Sequence, residues 1–299
     1  MYKECSLCPR QCHVNRESTM GVCHVGAQVL IARAALHMWE EPCISGKCGS
    51  GAVFFSGCSL GCVFCQNQMI SGGQIGKAVS VERLVQIFFE LKEKGAGNIN
   101  LVTPDHYIPS VRDAVMQAKK LGIDLPFIYN CSGYVQVESL RMLDGLIDVY
   151  LPDFKYWESE TAMKYSRAQD YPAKAREAIA EMVRQVGRCR FAENGMIEKG
   201  VIVRHLLLPG KVHQAKEIVK YLYDTYKDEI YFSLMNQYTP GKDAAKRFDR
   251  FPELQRKVTR REYERWIAFV LELGIENAFI QEGETALESF IPAFDLEGV

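Results

Sequence analysis

The chain has 299 residues, enough for one large α/β domain or two average ones. Hydrophobic residues make up 47% and charged residues 24% of the sequence, which excludes an intrinsically disordered chain. The formal net charge of -1 provides no overall positive field for a polyanion, so nucleic acid is not an expected partner. No apolar run reaches the length of a membrane span, and the polar N-terminus lacks a signal-peptide core. We therefore expect a cytoplasmic protein without membrane contact.

The eleven cysteines are concentrated near the N-terminus, with nine of them in the first 65 residues. A reducing compartment and an odd count disfavour a full set of disulfides, so thiolate ligands to metal explain the concentration better. Cys43 and Cys48 form a redox pair, lend a metal ligand or are reduced surface thiols, and no role is assigned to them. Cys131 and Cys189, the two cysteines beyond residue 65, are expected to be ordinary small residues.

The first cysteine group supplies four thiols within nineteen residues: Cys5, Cys8, Cys12 and Cys23. Four thiolates close a metal site, and both a structural zinc ion and a fully ligated auxiliary iron-sulfur cluster prefer them. We favour a cluster, which would be useful as an electron relay, and a segment of free thiols is the alternative reading. Residues 1–50 are predicted to be a small cysteine-rich extension that a metal stabilises, because so short a segment buries little core.

Downstream of this segment, short β-type runs alternate with helical patterns. Six runs rich in β-branched and aromatic residues are predicted as strands: 52–56, 98–103, 127–130, 147–154, 201–208 and 231–235. The helical patterns include a segment that Ser80 caps and Gly95 ends. Alternation of strand and helix requires right-handed crossovers and a parallel sheet. We predict an α/β fold, a partial (β/α)6 TIM-like barrel, over residues 51–299.

Polar residues follow the ends of the first four predicted strands. In parallel barrels the chemistry lies at these ends, where the loops between strand and helix gather. The residues concerned are Cys58, Thr103, Asp105, Asn130, Ser132, Asp153 and Lys155. The sequence therefore predicts a site at this end of the barrel.

The loop FFSGCSLGCVFCQNQ, residues 54–68, places Cys58, Cys62 and Cys65 directly after the first predicted strand. Spacings of three and two residues let one loop bring three thiolates round a metal cluster, and the flanking glycines permit the necessary backbone angles. A structural zinc ion requires four ligands, and no obvious fourth lies nearby in the sequence. Three thiolates on a [4Fe-4S] cluster leave one iron free to bind a small molecule.

This Cys-x3-Cys-x2-Cys spacing at a strand end, with the aromatic Phe64 before the last cysteine, resembles the radical S-adenosylmethionine (SAM) superfamily. The resemblance implies a [4Fe-4S] cluster whose free iron chelates the amino and carboxylate groups of SAM, with Phe64 near the cofactor. It also implies reductive cleavage of SAM to methionine and a 5′-deoxyadenosyl radical that abstracts hydrogen from a substrate. The motifs that carry the resemblance look closest to homologues of pyruvate formate-lyase-activating enzyme with an extra N-terminal cysteine segment: GCSLGCVFCQN, NINLVTPDHY, YNCSGY, YLPDFKY, VRHLLLPG and LMNQYTP.

One stretch departs from that group. Thr103, Pro104 and Asp105 stand where the activating enzymes have a Gly-Gly-Glu turn that meets the methionine amino group. The resemblance implies that Asp105 replaces the glutamate, although both glycines are missing.

Other positions match the group more closely. The resemblance implies that Asn130 and Ser132 lie near the ribose or methionine portion of SAM and that Arg204 contacts SAM. Strand alternation sends Arg204 and His205 to opposite faces, and we expect Arg204 to point inward while His205 packs in the core.

Asp153 and Lys155 match an Asp-x-Lys pair that lies close to the cofactor carboxylate and the substrate in the activating enzymes. Alternation places both side chains on one face of the strand, where opposite charges neutralise each other. We assign them a catalytic role, and a structural ion pair is the alternative.

The resemblance favours formation of a glycyl radical on a partner protein, with an electron donor such as flavodoxin or ferredoxin. Radical modification of a peptide or small molecule is the rival enzymatic function. A metal-binding electron-transfer or interaction protein without SAM chemistry is the alternative of a different class.

Overall fold

The fold is built on one mostly parallel sheet whose strands alternate with helices. The computed structural model describes residues 1–241, 243–281 and 292–299. The strands are β1 Val29–His37, β2 Ser50–Phe55, β3 Lys77–Val79, β4 Ile99–Val102, β5 Phe127–Cys131, β6 Val149–Pro152, β7 Arg190–Phe191, β8 Ile197–Leu206, β9 Tyr231–Met235 and β10 Ala278–Ile280. The helices are α1 Pro42–Ser45, α2 Gln68–Ser71, α3 Val81–Glu93, α4 Ile108–Lys120, α5 Val137–Arg141, α6 Ser159–Ser166, α7 Tyr171–Val186, α8 Val212–Tyr226, α9 Ala244–Arg247 and α10 Arg260–Glu272.

The strand order is β10-β9-β8-β6-β5-β4-β2-β1-β3, and β7 pairs with β8 outside this path. Every neighbouring pair from β2 to β10 along this path is parallel. The sheet is open, with β3 and β10 at its edges in the described part of the chain. All six predicted strands are present in parallel order, and β10 extends them. The predicted partial TIM-like α/β barrel is confirmed.

The helices cover the sheet with the apolar faces that the sequence pattern indicates. The Ser80 hydroxyl accepts a hydrogen bond of 3.2 Å from the Arg83 backbone N–H at the start of α3. Gly95, which follows the end of the helix, has a φ of +88°. Both of these predicted helix signals are confirmed. Among the described residues no helix combines the length and the apolar character needed to cross a membrane.

Strand β1 belongs to the segment that the sequence analysis assigned to the cysteine-rich extension. It pairs antiparallel with β2 and β3, and C-terminal residues also form backbone hydrogen bonds with it. The backbone N–H of Leu296 donates to Ala32 O at 3.1 Å, and that of Ala34 donates to Glu297 O at 2.8 Å. The alanine-rich β1 has weak β-propensity, so its pattern did not stand out. The division of the chain into an extension and a barrel at residue 50 stays a prediction. Strand β1 connects the two parts, because it lies in the extension and pairs with β2.

Candidate active site

A cavity of about 270 Å³ opens at the carboxyl ends of the parallel strands. Most of the residues predicted for the site line it together: Cys58, Cys62, Phe64, Cys65, Thr103, Asn130, Ser132, Asp153, Lys155 and Arg204. Pro104 and Asp105 are absent from this lining, and so are the four N-terminal cysteines. The topology therefore brings residues from five strand ends and one loop to the same place, as the parallel order requires.

The loop after β2 directs the three cysteines into this cavity. Gly57 and Gly61 adopt φ values of +92° and +64°, a left-handed conformation that a residue with a Cβ rarely adopts. Arg247 holds the end of the loop, because its guanidinium donates to Cys65 O at 2.6 Å. The turn is thereby fixed at both ends.

Two of the three sulfur atoms accept a hydrogen bond. The Leu60 backbone N–H donates to Cys58 Sγ at 3.4 Å, and the Ser166 hydroxyl donates to Cys62 Sγ at 3.1 Å. The Ser71 side chain acts on Cys65 and opposes the rise in the pKa of its thiol, while its hydroxyl donates to Gln68 O at 3.3 Å. Ser71 and Ser166 come from two different helices, so sequence reasoning gave no signal for either residue.

Burial disfavours the thiolate form of these cysteines unless a positive centre lies beside them. Burial, followed by the nearby thiolate of Cys62, raises the pKa of Cys58 to about 12 and also raises the pKa of Cys65. A metal centre, when bound, would hold three such neighbouring sulfur atoms as thiolates. No three His, Cys, Asp or Glu side chains of the described residues are arranged around a single metal ion. The donor set of soft thiolates, with hydrogen bonds to the sulfur atoms, fits an iron-sulfur cluster.

Asp153 and Lys155 form an ion pair inside the cavity. Lys155 Nζ lies 2.5 Å from Asp153 Oδ2, and their side chains are 20% and 21% exposed. Burial opposes the charge of Lys155, but Asp153 and Cys62 outweigh it and raise the pKa of this amine. The Tyr171 hydroxyl accepts from the Lys155 backbone N–H at 2.8 Å and lies 3.0 Å from Asp153 O. The pair is thus a fixed, charged element beside the three cysteines.

Arg204 also lines the cavity, but two glutamates that the sequence analysis did not connect with it hold its guanidinium. Its Nε donates to Glu41 Oε1 at 2.8 Å and its Nη2 donates to Glu41 Oε2 at 2.7 Å, while Glu40 forms a further ion pair with Nη2. Asn100 orients Glu40 with a hydrogen bond of 2.9 Å. The partners are 163 residues apart in the chain, so local sequence carries no signal for them. His205 is buried against Trp266, as predicted.

Thr103 adopts a left-handed backbone conformation, which favours glycine. Its φ is +59°, and its N–H donates to Asn130 O at 2.8 Å. A β-branched residue in this region is a strained outlier of the kind that concentrates at functional sites. The turn at the end of β4 is therefore strained where it meets the cavity.

Asp105 lies in the core beneath the cavity and not in its lining. The residue is 1% exposed, and its carboxyl accepts a hydrogen bond of 2.8 Å from the Tyr129 hydroxyl. Its position gives no support to the implied contact with the methionine amino group. The carboxylates that line the cavity are Asp153 and Glu40.

The buried Asp105 carboxyl makes the stability of the protein depend on pH. Burial, reinforced by Asp153, raises its pKa from 3.8 to about 7. The folded protein therefore holds this proton more tightly than the unfolded chain, and stability falls as pH rises from about 4 to 7. We expect Asp105→Asn to match the parent protein at pH 4 and to exceed it by about 4 kcal/mol at pH 8. Urea unfolding at both pH values measures this difference.

The exposed Asp249 supplies the control for this experiment. Asp249→Asn should change the free energy of unfolding equally at both pH values. An Asp105→Asn variant whose difference from the parent is the same at pH 4 and pH 8 would contradict the account.

Cys131 lines the cavity as well, although it was expected to be an ordinary small residue. Besides burial, the charges that act on its thiol belong to Asp105, Asp153 and Lys155, and not to the three loop cysteines. His37, Trp39, Gln237 and Tyr238 also line the cavity. His37 and Trp39 reach it because β1, which was not predicted, ends at His37.

Comparison with known protein families decides the class of this site. The model of the radical SAM superfamily matches residues 52–222, more than half of the chain. The chain belongs to the radical SAM superfamily. This membership implies a [4Fe-4S] cluster and SAM as cofactors and oxidoreductase-type chemistry.

Relatives of this radical SAM protein include an uncharacterized protein of Methanocaldococcus jannaschii. The two are 27% identical over 274 residues, which cover 89% of this chain and 73% of the relative. SuiB of Streptococcus suis, solved with SAM bound, matches with a TM-score of 0.51 and 15% identity, covering 76% of this chain. A radical SAM methyltransferase from Sphaerobacter thermophilus also gives 0.51 and 15%, covering 78% of this chain and 66% of its own. The chain spans about half the length of SuiB, 48%, and these low identities show the shared fold alone.

Proposed function

We propose that this radical SAM protein binds its cluster through Cys58, Cys62 and Cys65 and uses it to abstract hydrogen from a substrate at the barrel mouth. The observation that carries the proposal is the convergence of three thiols, two of them hydrogen-bonded, on one cavity at the carboxyl ends of the strands. When bound, the cluster and SAM supply a 5′-deoxyadenosyl radical.

The surrounding residues have separable parts in this proposal. Phe64 packs edge-on against Tyr156, Tyr165 and Tyr238 at centroid distances of 6.2 to 6.3 Å, and this aromatic wall would exclude water from the cluster loop. Ser166 would stabilise the Cys62 thiolate on the cluster by donating a hydrogen bond.

The polar half of the cavity is proposed to bind SAM. Thr103, Asn130, Ser132 and Arg204 line this side, and they supply amide, hydroxyl and guanidinium groups suited to the ribose hydroxyls and the methionine portion. Because Arg204 is already paired with glutamates, its contribution is a neutralised, oriented network more than a free positive charge.

The Asp153 and Lys155 pair is proposed to lie between cofactor and substrate. Both side chains line the cavity, and Asp153 and Cys62 raise the pKa of the Lys155 amine. In this position they would orient the methionine carboxylate and the substrate group that loses hydrogen, which is the catalytic role assigned to them.

We propose a glycyl-radical enzyme as the substrate, with a flavodoxin or ferredoxin as one-electron donor, on the strength of the motif resemblance. The experiment incubates the reduced, reconstituted protein and SAM with glycyl-radical enzymes from the same organism. Electron paramagnetic resonance should detect a glycine-centred radical on one of them. Absence of the radical from every one of them, with SAM still cleaved, would overturn this substrate but not the reaction.

A peptide substrate is the second candidate. SuiB, which shares this fold with a TM-score of 0.50, has been solved bound to its precursor peptide SuiA. If SAM cleavage is accompanied by a mass change in an added peptide instead of a glycyl radical, this candidate replaces the first.

The N-terminal group Cys5, Cys8, Cys12 and Cys23 is proposed to hold a second centre, an auxiliary iron-sulfur cluster or zinc. The support is their closeness: a methyl group placed on Gly21 would lie 3.3 Å from Cys23 Sγ and 3.5 Å from Cys12 Sγ.

A further inference from the structure

Arg16 is a buried cation with no carboxylate beside it. The residue is 1% exposed. Its guanidinium donates to the backbone oxygens of Val25 at 3.4 Å, His106 at 2.5 Å and Gly26 at 2.6 Å. Within the described ranges, none of its hydrogen bonds or ion pairs involves Asp or Glu. The positive charge is therefore left without a conventional counter-ion.

The groups that do surround Arg16 are the N-terminal cysteines. Arg16 Nη1 lies 3.8 Å from Cys5 Sγ. A methyl group placed on Gly21, which would approach Cys12 and Cys23, would also lie 3.5 Å from Arg16 Cδ. The cysteines and the arginine thus lie together in a segment without helix or strand. No three of these described cysteines surround a single metal ion, which favours a cluster over zinc.

The burial of Arg16 suits an anionic neighbour. Burying a charge without a counter-ion is strongly unfavourable, and cation-π contacts with Tyr2 at 5.0 Å and Tyr107 at 5.4 Å offset only part of it. Four thiolates around a core of total charge +2, either a zinc ion or an oxidised [4Fe-4S] cluster, carry a net charge of about -2. Such a centre supplies the missing counter-charge.

We infer that Cys5, Cys8, Cys12 and Cys23 hold an anionic four-thiolate metal centre, that Arg16 is its buried counter-cation, and that this centre holds the Cys58 loop in place. The last part rests on the proposed function, because it assigns the loop to the SAM cluster. The shared chemistry of the ligand is a metal core of charge +2, and metal analysis separates zinc from iron-sulfur.

Backbone contacts connect the two cysteine groups directly. The Cys58 N–H donates to Cys23 O at 3.2 Å, so one ligand of each proposed centre is joined by a single hydrogen bond. Arg10, between Cys8 and Cys12, donates to Ser59 O at 2.9 Å and Leu60 O at 3.2 Å. Removing metal from the N-terminal group would release two supports of the SAM-cluster loop.

The test isolates each centre by removing ligands of the other. The full chain with Cys62→Ala should retain one zinc, or about four iron and four sulfide, at the N-terminal group. Adding Arg16→Met should weaken metal retention against a chelator by about tenfold or more, while Arg16→Lys should restore part of it. Arg176→Met is the matched control, because Arg176 packs on Trp157 at 4.1 Å and contacts no cysteine ligand. It should lose no metal.

Two results would overturn the inference. One is a Cys62→Ala protein that contains neither zinc nor iron. The other is Arg16→Met with unchanged metal retention; if that variant does not fold, Cys8→Ser replaces it, and unchanged metal in Cys8→Ser would contradict the site. SAM cleavage by the unaltered protein is scored separately, so the proposed function can fail while the N-terminal centre stands, and the reverse.

The support of the Cys58 loop is tested by Arg10→Ala, with Arg10→Lys as the conservative variant. We expect Arg10→Ala to lower the iron content of the Cys58 loop at least severalfold while N-terminal metal is retained. Full cluster content in Arg10→Ala and in Cys8→Ser would refute the coupling.

Discussion

Cys62→Ala is expected to abolish reductive cleavage of SAM and to remove the cluster held by the Cys58 loop. A cluster bound by only three thiolates has no spare protein ligand, so loss of one leaves two irons without a cysteine. Cys62 is also the sulfur that receives the Ser166 hydrogen bond and acts on both neighbouring thiols. Iron and sulfide analysis, together with chromatographic detection of 5′-deoxyadenosine, measures both effects.

Cys48→Ala is the matched control, since Cys48 is an exposed thiol outside the cavity. It should keep the iron content and the SAM cleavage of the parent. Full activity in Cys62→Ala, or equal loss in Cys48→Ala, would show that the loop thiols do not bind the cluster in the way proposed.

Lys155→Met and Asp153→Asn are expected to show whether the ion pair in the cavity is functional or structural. Removing one partner leaves the other charge in a largely buried site, which should lower the free energy of unfolding by about 3 kcal/mol. The variant with both substitutions removes both charges and should regain most of that stability. SAM cleavage should fall by at least about a hundredfold in all three variants, because the positioning charges are missing in each.

The double variant distinguishes a structural from a catalytic role of the ion pair. If it recovers both stability and SAM cleavage, the pair is structural and the catalytic assignment is wrong. Recovery of stability without recovery of cleavage supports the catalytic role. Chemical denaturation and initial rates of 5′-deoxyadenosine formation, measured on protein of equal iron content, give the two readouts.

The parallel part of the fold could be predicted because short local sequence patterns determine it. The six runs of β-branched residues and the cap at Ser80 each act within a few residues, and all of them match the structure. The Cys58 loop is local in the same sense. These elements position most of the cavity lining, including Asp153, Lys155 and Arg204, which follow from strand alternation.

Other features depend on contacts between distant parts of the chain. The glutamates that hold Arg204 lie 163 or 164 residues from it, and Ser166 approaches Cys62 across 104 residues. Strand β1 is a third case, since its weakly apolar, alanine-rich sequence is stabilised by pairing with β2 and β3. The burial of Asp105 was not predicted for a different reason: the turn after β4 directs its side chain into the core.

The most direct measurement is product analysis of the reconstituted protein under anaerobic conditions with dithionite and SAM. The account predicts brown protein with iron and sulfide in equal amounts, and 5′-deoxyadenosine and methionine formed together only when the reductant is present. Protein that contains zinc and no iron at the Cys58 loop, or that carries a full cluster yet forms no 5′-deoxyadenosine, would contradict it.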